Sequence, residues 1–172
     1  MRCTDNGTPY LLYHFKSSRT KHIYIVRVEC HSNNFYGIKF YLKAHEKSKD
    51  KYKKLTGLNE PRPVINTCIC ILLDLYSENP CASFGFIGSE TNEEKKEREL
   101  EGKSERERTE ITKRMVVYRR ILNTYFSSKE FEHLIDDNKS AYVMVNLAEL
   151  NKNQSLISDI SEYFTKNYSY FG

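Results

Sequence analysis

Apolar and polar residues alternate in three segments near the start of the chain, and this alternation predicts β-strands. YLLYHFKS (10–17) is the first, and KHIYIVRVEC (21–30) and FYGIKFYLKA (35–44) flank HSNN, a polar turn typical of hairpins. By the two-residue period, one face of the second and third strands is predicted to be apolar and to carry Tyr24, Val26, Val28, Cys30, Tyr36, Ile38, Phe40 and Leu42. The opposite face is mixed and carries Ile25, Arg27, Glu29, Lys39, Tyr41 and Lys43. We therefore expect one side of this sheet to face the core and the other to be half solvated.

The segment PRPVINTCICILLDLYSENP (61–80) is consistent with two kinds of element. Its β-branched run favours a buried strand. The prolines at 61 and 63 suit the first turn of a helix, SENP is a natural stop, and the stretch 63–76 is long for a strand. We predict a buried helix here, with the strand as the alternative.

Strands and helices alternate in the second half of the chain. ASFGFIG (82–88) predicts a short central strand, and the highly charged segment 90–110 predicts a mobile insertion outside the core. Apolar residues at helical spacing predict the next helix along Ile111, Met115, Tyr118, Leu122 and Tyr125. A capping-box spacing, Ser127 with Glu130, predicts a further short helix that carries Phe131, Leu134 and Ile135. AYVMVNL (141–147) predicts the last strand and SLISDISEYFTKNYSYF the last helix.

This order defines the expected fold class. It is α+β, with a single mixed β-sheet in the order β-β-β-α-β-α-β-α and helices packed mainly on one face. At 172 residues the chain is long enough to bury one ordinary core, so we expect a single domain over residues 1–172, with the charged insertion at about 90–110.

The proline-capped helix, the strand that ends in Gly88-Ser89 and the helix with Arg114 and Tyr118 also carry a resemblance. The chain resembles small uncharacterised bacterial α+β proteins built from an N-terminal β-meander, a helix, a strand ending in Gly-Ser and an Arg…Tyr helix. The resemblance covers residues 20–126, and the charged insertion departs from it. It implies the fold and no reaction.

Composition and charge narrow the classes of protein. No apolar run approaches the roughly 20 residues that cross a bilayer, and MRCTDNGTPY lacks the apolar core of a secretory signal, so we expect a cytoplasmic protein. Five cysteines without a CxxC pair are typical of reduced thiols. The net charge of +4 is uneven: residues 1–70 carry 13 Lys and Arg against 5 Asp and Glu, whereas residues 71–172 carry 14 against 18. A basic first half favours an acidic partner or nucleic acid.

No pattern of catalytic or metal-binding residues emerges from the sequence. The five histidines are scattered without ligand spacing, so we expect no metal, no cofactor and no catalytic residue. FGFIGSE followed by a helix with Lys113 and Arg114 is similar to the phosphate-binding turn of the acetyltransferase fold. Glutamates at 105, 107 and 110 occupy the approach to that helix, where an anion would have to lie. An acetyltransferase-like acyl-coenzyme A enzyme is therefore an alternative that the sequence disfavours.

Basic side chains interleaved with tyrosine are the remaining candidates for function. They form two groups, one on the mixed sheet face and one on the Arg-rich helix, and could neutralise phosphates or an acidic protein surface. The candidate partner-binding residues are Arg27, Lys39, Tyr41, Lys43, Lys113, Arg114, Arg119 and Arg120. The sequence favours a non-enzymatic binding or accessory module of a bacterial cytosolic system, such as a mobile-element, defence or toxin–antitoxin locus, which contacts an acidic partner through this basic surface. A nucleic-acid-binding protein is the first alternative.

Overall fold

The described residues of the protein form one seven-stranded mixed β-sheet with helices on both faces. The computed structural model describes residues 2–5, 7–52, 61–87, 92–102, 113–136 and 141–168. The strands are β1 (Arg2–Asp5), β2 (Thr8–Lys16), β3 (Ile23–Cys30), β4 (Phe35–Leu42), β5 (Ser83–Ile87), β6 (Phe131–Asp136) and β7 (Ala141–Asn146). The α-helices are α1 (Pro61–Glu78), α2 (Asn92–Leu100), α3 (Lys113–Tyr125), α4 (Leu147–Lys152) and α5 (Leu156–Tyr168), and a 3-10 helix covers Lys43–His45.

The strand order is β1-β2-β3-β4-β5-β7-β6, so an α+β fold with one mixed sheet is confirmed. All neighbouring strands are antiparallel except β4 and β5, which are parallel and joined by a crossover through α1. Segment 61–78 is a helix, as its prolines and its length predict. β5 lies inside the sheet, between β4 and β7, also as predicted.

The register confirms the predicted faces of β3 and β4. Val26 pairs with Phe40 and Val28 with Ile38, and this face packs with α1 and α3 in the main core. The opposite face of the sheet is covered by α5, where Phe35 and Val145 pack against Leu156 and Ile160. Because helices cover both faces, β7 buries all six of its residues.

The short helix predicted from Ser127 is wrong, because residues 131–136 form β6. Ser127 makes only one turn, in which its hydroxyl accepts from Lys129 N at 3.1 Å and its carbonyl from Phe131 N at 3.0 Å. FEHLID then forms an extended strand, in which Leu134 pairs with Val143 across the hairpin. β1 was not predicted either. It pairs with β2 at the other edge of the sheet.

The charged segment is in part helical, since α2 covers Asn92–Leu100. Residues 88–91 and 103–112 lie outside the described residues, so the mobility expected for 90–110 stays a prediction. None of the helices that the structure describes combines the length and the apolar composition needed to cross a membrane.

A buried asparagine joins the second half of the sheet. Asn146 at the end of β7 is 2% exposed, and its backbone N–H donates to Ser83 Oγ at 3.0 Å. Its side-chain amide donates to Pro80 O at 2.8 Å, while Oδ1 accepts from Ala148 N and Glu149 N and so caps α4. One residue thus fixes β7, the entry to β5 and the start of α4 together.

We expect the buried side chains of α3 to contribute much more to the stability of the protein than its exposed side chains. Leu122 is buried between α3 and the sheet, so Leu122→Ala should lower the free energy of unfolding by about 2–5 kcal/mol. Val116→Ala on the same helix is the control, because Val116 is 54% exposed and its truncation should cost about 0.5 kcal/mol or less. Urea denaturation measures both. Equal losses for the two variants would contradict the assigned faces of α3.

Candidate partner-binding surface

The eight candidate residues do not form one surface. α3 packs on the sheet face that carries Val26 and Val28. Arg27 alternates with these residues and pairs with Lys39, so both basic side chains lie on the opposite face. The sheet group and the helix group are therefore separated by the thickness of the sheet.

The basic residues of the sheet group belong to an internal ion cluster, formed by Asp5, Arg27, Glu29 and Lys39. Arg27 contacts Asp5 at 2.8 Å and Glu29 at 3.0 Å, and Lys39 Nζ lies 3.0 Å from Glu29 Oε2. The side chains of Arg27 and Lys39 are only 15% exposed and that of Glu29 is 10% exposed. Two cations and two carboxylates balance each other, so little positive charge is left to face a partner. The half-solvated basic face expected from the sequence is thus a largely closed network.

Tyrosine rings cover the ion cluster. The Arg27 guanidinium lies 4.1 Å from the centre of the Tyr10 ring, and Lys39 Nζ lies 5.6 Å from that of Tyr52. Tyr41 is 6% exposed and meets Tyr52 edge to face at 5.3 Å. Tyr41 is therefore part of the cover over the cluster rather than an exposed stacking platform.

The pKa values reflect this burial. Desolvation lowers the pKa of Lys39 even though Glu29 acts in the opposite direction. Burial would also lower the pKa of Arg27, but the hydrogen bond to Asp5 and the charge of Glu29 outweigh it and the pKa rises. Burial likewise raises the pKa of Tyr52. Glu29, which faces both cations, is the centre of the network.

His31 lies between the ion cluster and α5. Its side chain is 4% exposed, its ring centre is 3.9 Å from that of Tyr163, and Nε2 is 4.0 Å from Glu29 Oε2. Nε2 has no hydrogen-bond partner among the described residues. Desolvation lowers the pKa of His31 to about 4, so the imidazole is neutral at pH 7.

Of the remaining candidates, three side chains are exposed, and two lie outside the described part of the chain. Lys43 is exposed on the 3-10 helix that follows β4. Lys113 and Arg114 are the first residues of α3, and their side chains lie outside the described part of the chain. Arg119 and Arg120 are exposed on α3. Neither guanidinium forms an ion pair with any residue that the structure describes.

The outward side of α3 combines charge with apolar area. Val116 lies three residues before Arg119 and four before Arg120, and Asn123 lies four and three residues after them, so the four share one exposed side of the helix, which we call the α3 stripe. Val116 is 54% exposed within it. An exposed apolar side chain next to exposed guanidinium groups is typical of protein interfaces.

Hydrogen bonds below the α3 stripe hold this helix to the last hairpin. The Tyr142 hydroxyl donates to Asn123 Oδ1 at 2.7 Å and lies 2.7 Å from His133 Nδ1, while His133 Nε2 lies 3.1 Å from Phe126 O. Burial lowers the pKa of His133 and raises that of Tyr142 to about 12, so both are neutral at pH 7. No periodic pattern in the sequence indicates this network, because its members come from α3, β6 and β7.

The parallel pair β4–β5 is the one point in the described sheet where the strand direction does not alternate. The register pairs the two strands only from Phe35–Ser83 to Ile38–Phe86, and β4 then continues to Leu42. Ligands in α/β sheets bind at the carboxyl ends of parallel strands, where the topology switches. In the segment from Gly88 to Arg120, where the sequence suggested a phosphate turn, residues 88–91 and 103–112 lie outside the described residues.

The described residues show no group of three His, Cys, Asp or Glu side chains that could hold a metal ion. No family model, no curated protein and no solved structure matches the chain.

We expect the ion cluster to depend on Glu29. Glu29→Ala leaves Arg27 and Lys39 buried without their shared carboxylate, so the free energy of unfolding should fall by about 3–5 kcal/mol. Lys152→Ala is the control: Lys152 pairs with Glu149 at 2.7 Å, but its side chain is 66% exposed, so the loss should be much smaller than at Glu29. Urea denaturation at pH 7 distinguishes the two. A loss at Glu29 no larger than at Lys152 would mean that the cluster is open to water.

The neutral His31 should make stability depend on pH. Its pKa is about 4 in the folded protein and 6.5 without the fold, so the unfolded chain takes up a proton as the pH falls below about 6.5 while the folded protein does not. The wild type should therefore lose about 2 kcal/mol more than His31→Gln between pH 7 and pH 4.5. His22→Gln, at an exposed position, is the control and should behave like the wild type. Urea denaturation at the two pH values measures the difference, and an unchanged pH dependence in His31→Gln would contradict the assignment.

Proposed function

We propose that the protein is a non-enzymatic binding or accessory module, of the kind found in bacterial mobile-element, defence or toxin–antitoxin systems, and that it contacts an acidic partner through the α3 stripe. The observation that carries this proposal is that Arg119 and Arg120 are exposed on a packed helix, next to the exposed Val116. The guanidinium groups are weakly hydrated and form bidentate contacts with carboxylates, which suits an acidic protein surface.

The rigidity of α3 supports the proposal. Met115, Tyr118 and Leu122 are buried in the main core, and Asn123 is hydrogen-bonded to Tyr142. A partner would therefore meet side chains on a helix that is already ordered, which lowers the entropic cost of binding. Lys113 and Arg114 are the first two residues of the same helix.

A nucleic-acid-binding surface would use the arginines of the same helix, but the sheet would contribute little to it. Phosphate neutralisation needs several free cations, and Arg27 and Lys39 are paired with carboxylates inside the ion cluster. An acidic protein surface, which can also cover Val116, therefore fits the α3 stripe better than a nucleic acid does.

Acyl-coenzyme A binding is a second candidate, favoured by one observation, the parallel pair β4–β5. α1 returns antiparallel from the carboxyl end of β4 to the start of β5, so its first residues lie at the end of the sheet where β4 runs past β5. The first turn of α1 contains Arg62 and no acidic residue. A helix start at such a switch point suits a phosphate group.

We expect binding through the α3 stripe to be electrostatic. Material that co-purifies with the protein at low salt should dissociate as salt is added, and Arg119→Ala combined with Arg120→Ala should weaken its binding about tenfold or more. Lys16→Ala combined with Arg19→Ala is the matched control, since it removes the same charge from exposed positions on and after β2. The absorbance ratio at 260 and 280 nm tells protein from nucleic acid. Equal loss in the two double variants would indicate a non-specific charge effect and contradict the stripe.

Thermal unfolding separates the two candidate functions. The binding-module proposal expects no stabilisation by acyl-coenzyme A, ATP or NAD. A ligand at 100 times its Kd adds about 2.7 kcal/mol, which is several degrees in Tm for a domain of this size. A clear shift with acyl-coenzyme A would overturn the non-enzymatic proposal in favour of the parallel-pair site.

A further inference from the structure

A cavity of about 140 Å³ opens beside the last strand of the sheet. Its floor is apolar, formed by Leu134 of β6, Ala141 and Val143 of β7, and Ile157 and Ile160 of α5. Its volume is close to the roughly 150 Å³ of an apolar cavity that accepts benzene. One large apolar side chain, such as phenylalanine or leucine, would fit in it.

The cavity adjoins an edge of the sheet. β6 is the last strand in the order and, within the described part of the chain, pairs only with β7. A strand at a sheet edge presents a row of backbone N–H and C=O groups to which another extended segment can bond. The edge and the cavity together resemble the arrangement in which an added strand supplies affinity through its backbone and specificity through one inserted side chain.

Acidic residues flank the cavity on β6. Glu132, Leu134 and Asp136 alternate along the strand and therefore share the face on which α5 lies, with Leu134 in the cavity between the two carboxylates. Glu132 is exposed, and Glu162 is exposed on the adjacent turn of α5. Among the residues that the structure describes, no Lys or Arg lines the cavity. The spacing is acidic, apolar, acidic at intervals of two residues.

We propose that the β6 edge binds an extended basic peptide segment as an eighth strand. A large apolar side chain enters the cavity, and Lys or Arg two residues before and two residues after it face Glu132 and Asp136. The motif is thus a basic residue, any residue, a large apolar residue, any residue and a second basic residue. Opposite charges on directly opposed strand positions stabilise such a pair.

A second copy of this chain does not fit the same edge. FEHLID contains two carboxylates and neither Lys nor Arg. Two β6 strands paired antiparallel about Leu134 would place Glu132 opposite Asp136, and like charges in that position are destabilising. The charge pattern that discourages self-association selects a basic strand.

The probe is a fluorescently labelled peptide, Thr-Lys-Thr-Phe-Thr-Lys-Thr, titrated with the full chain and followed by fluorescence anisotropy. Two control peptides replace Phe by Ala or both Lys by Glu. We expect saturable binding of the first peptide at or below about 1 mM and binding at least about tenfold weaker for each control. Amide hydrogen exchange should slow in β6, which reports strand addition rather than loose attraction.

Two variants of the protein test the site itself. Ser161 lines the cavity from α5, so Ser161→Phe should fill the opening and weaken the peptide about tenfold or more. Ser158→Phe is the matched control, because Ser158 is exposed on the same helix and does not line the cavity. Glu132→Lys should weaken the basic peptide and strengthen the acidic one.

The outcomes separate this proposal from the α3 stripe. Arg119→Ala combined with Arg120→Ala should leave the peptide affinity unchanged, because α3 lies on the other face of the sheet. No binding at about 1 mM peptide, equal binding of the acidic control, or an effect of Ser158→Phe equal to that of Ser161→Phe would each overturn the β6 site. A dimer in sedimentation that is lost in Glu132→Lys would overturn it too, by showing that the edge is covered by a second copy.

Discussion

The second half of the sheet depends on the hydrogen bonds of Asn146. Its backbone and side chain bond to Ser83 and Pro80 on one side and to Ala148 and Glu149 on the other, and the whole residue is shielded from water. A buried amide loses its hydrogen bonds to water on folding and has to replace them with hydrogen bonds inside the protein. These bonds do so only when β7 lies beside β5 in one register. The polar end of β7 thus specifies the alignment of a strand whose other side chains are almost entirely apolar.

The ion cluster on the opposite face plays a comparable part in the first half. Arg27 of β3 lies opposite Lys39 of β4, Glu29 of β3 contacts both cations, and Asp5 closes the network from β1. A buried ion network is weak evidence for stability, but a shift of one strand by a single residue would carry its charges to the apolar face. Both halves of the sheet therefore use buried polar groups to define which residues lie opposite each other.

Local patterns predicted most of the fold. The period of two in β3 and β4 gave the correct core face, and the prolines before Val64 indicated α1 despite its β-branched run. The helix predicted at Ser127 failed because a capping-box spacing also occurs in a single turn, and the six residues that follow are too few for periodicity to separate helix from strand. The basic face was predicted to be half solvated because sequence alone does not show that Asp5 and Tyr52 lie over Arg27 and Lys39. Such long-range pairing has no signature in spacing.

The position of β5 affects how the chain folds during synthesis. β5 lies between β4, which precedes it, and β7, whose first residue follows more than fifty positions later. During synthesis β5 leaves the ribosome well before β7. At a translation rate of about 5–20 residues per second, the delay is several seconds. For that time β5, whose core face carries Phe84 and Phe86, has only one neighbouring strand. The charged segment that follows β5 is made in that interval. Because this segment is densely charged, it would keep the nascent chain hydrated until the open edge of β5 pairs with β7.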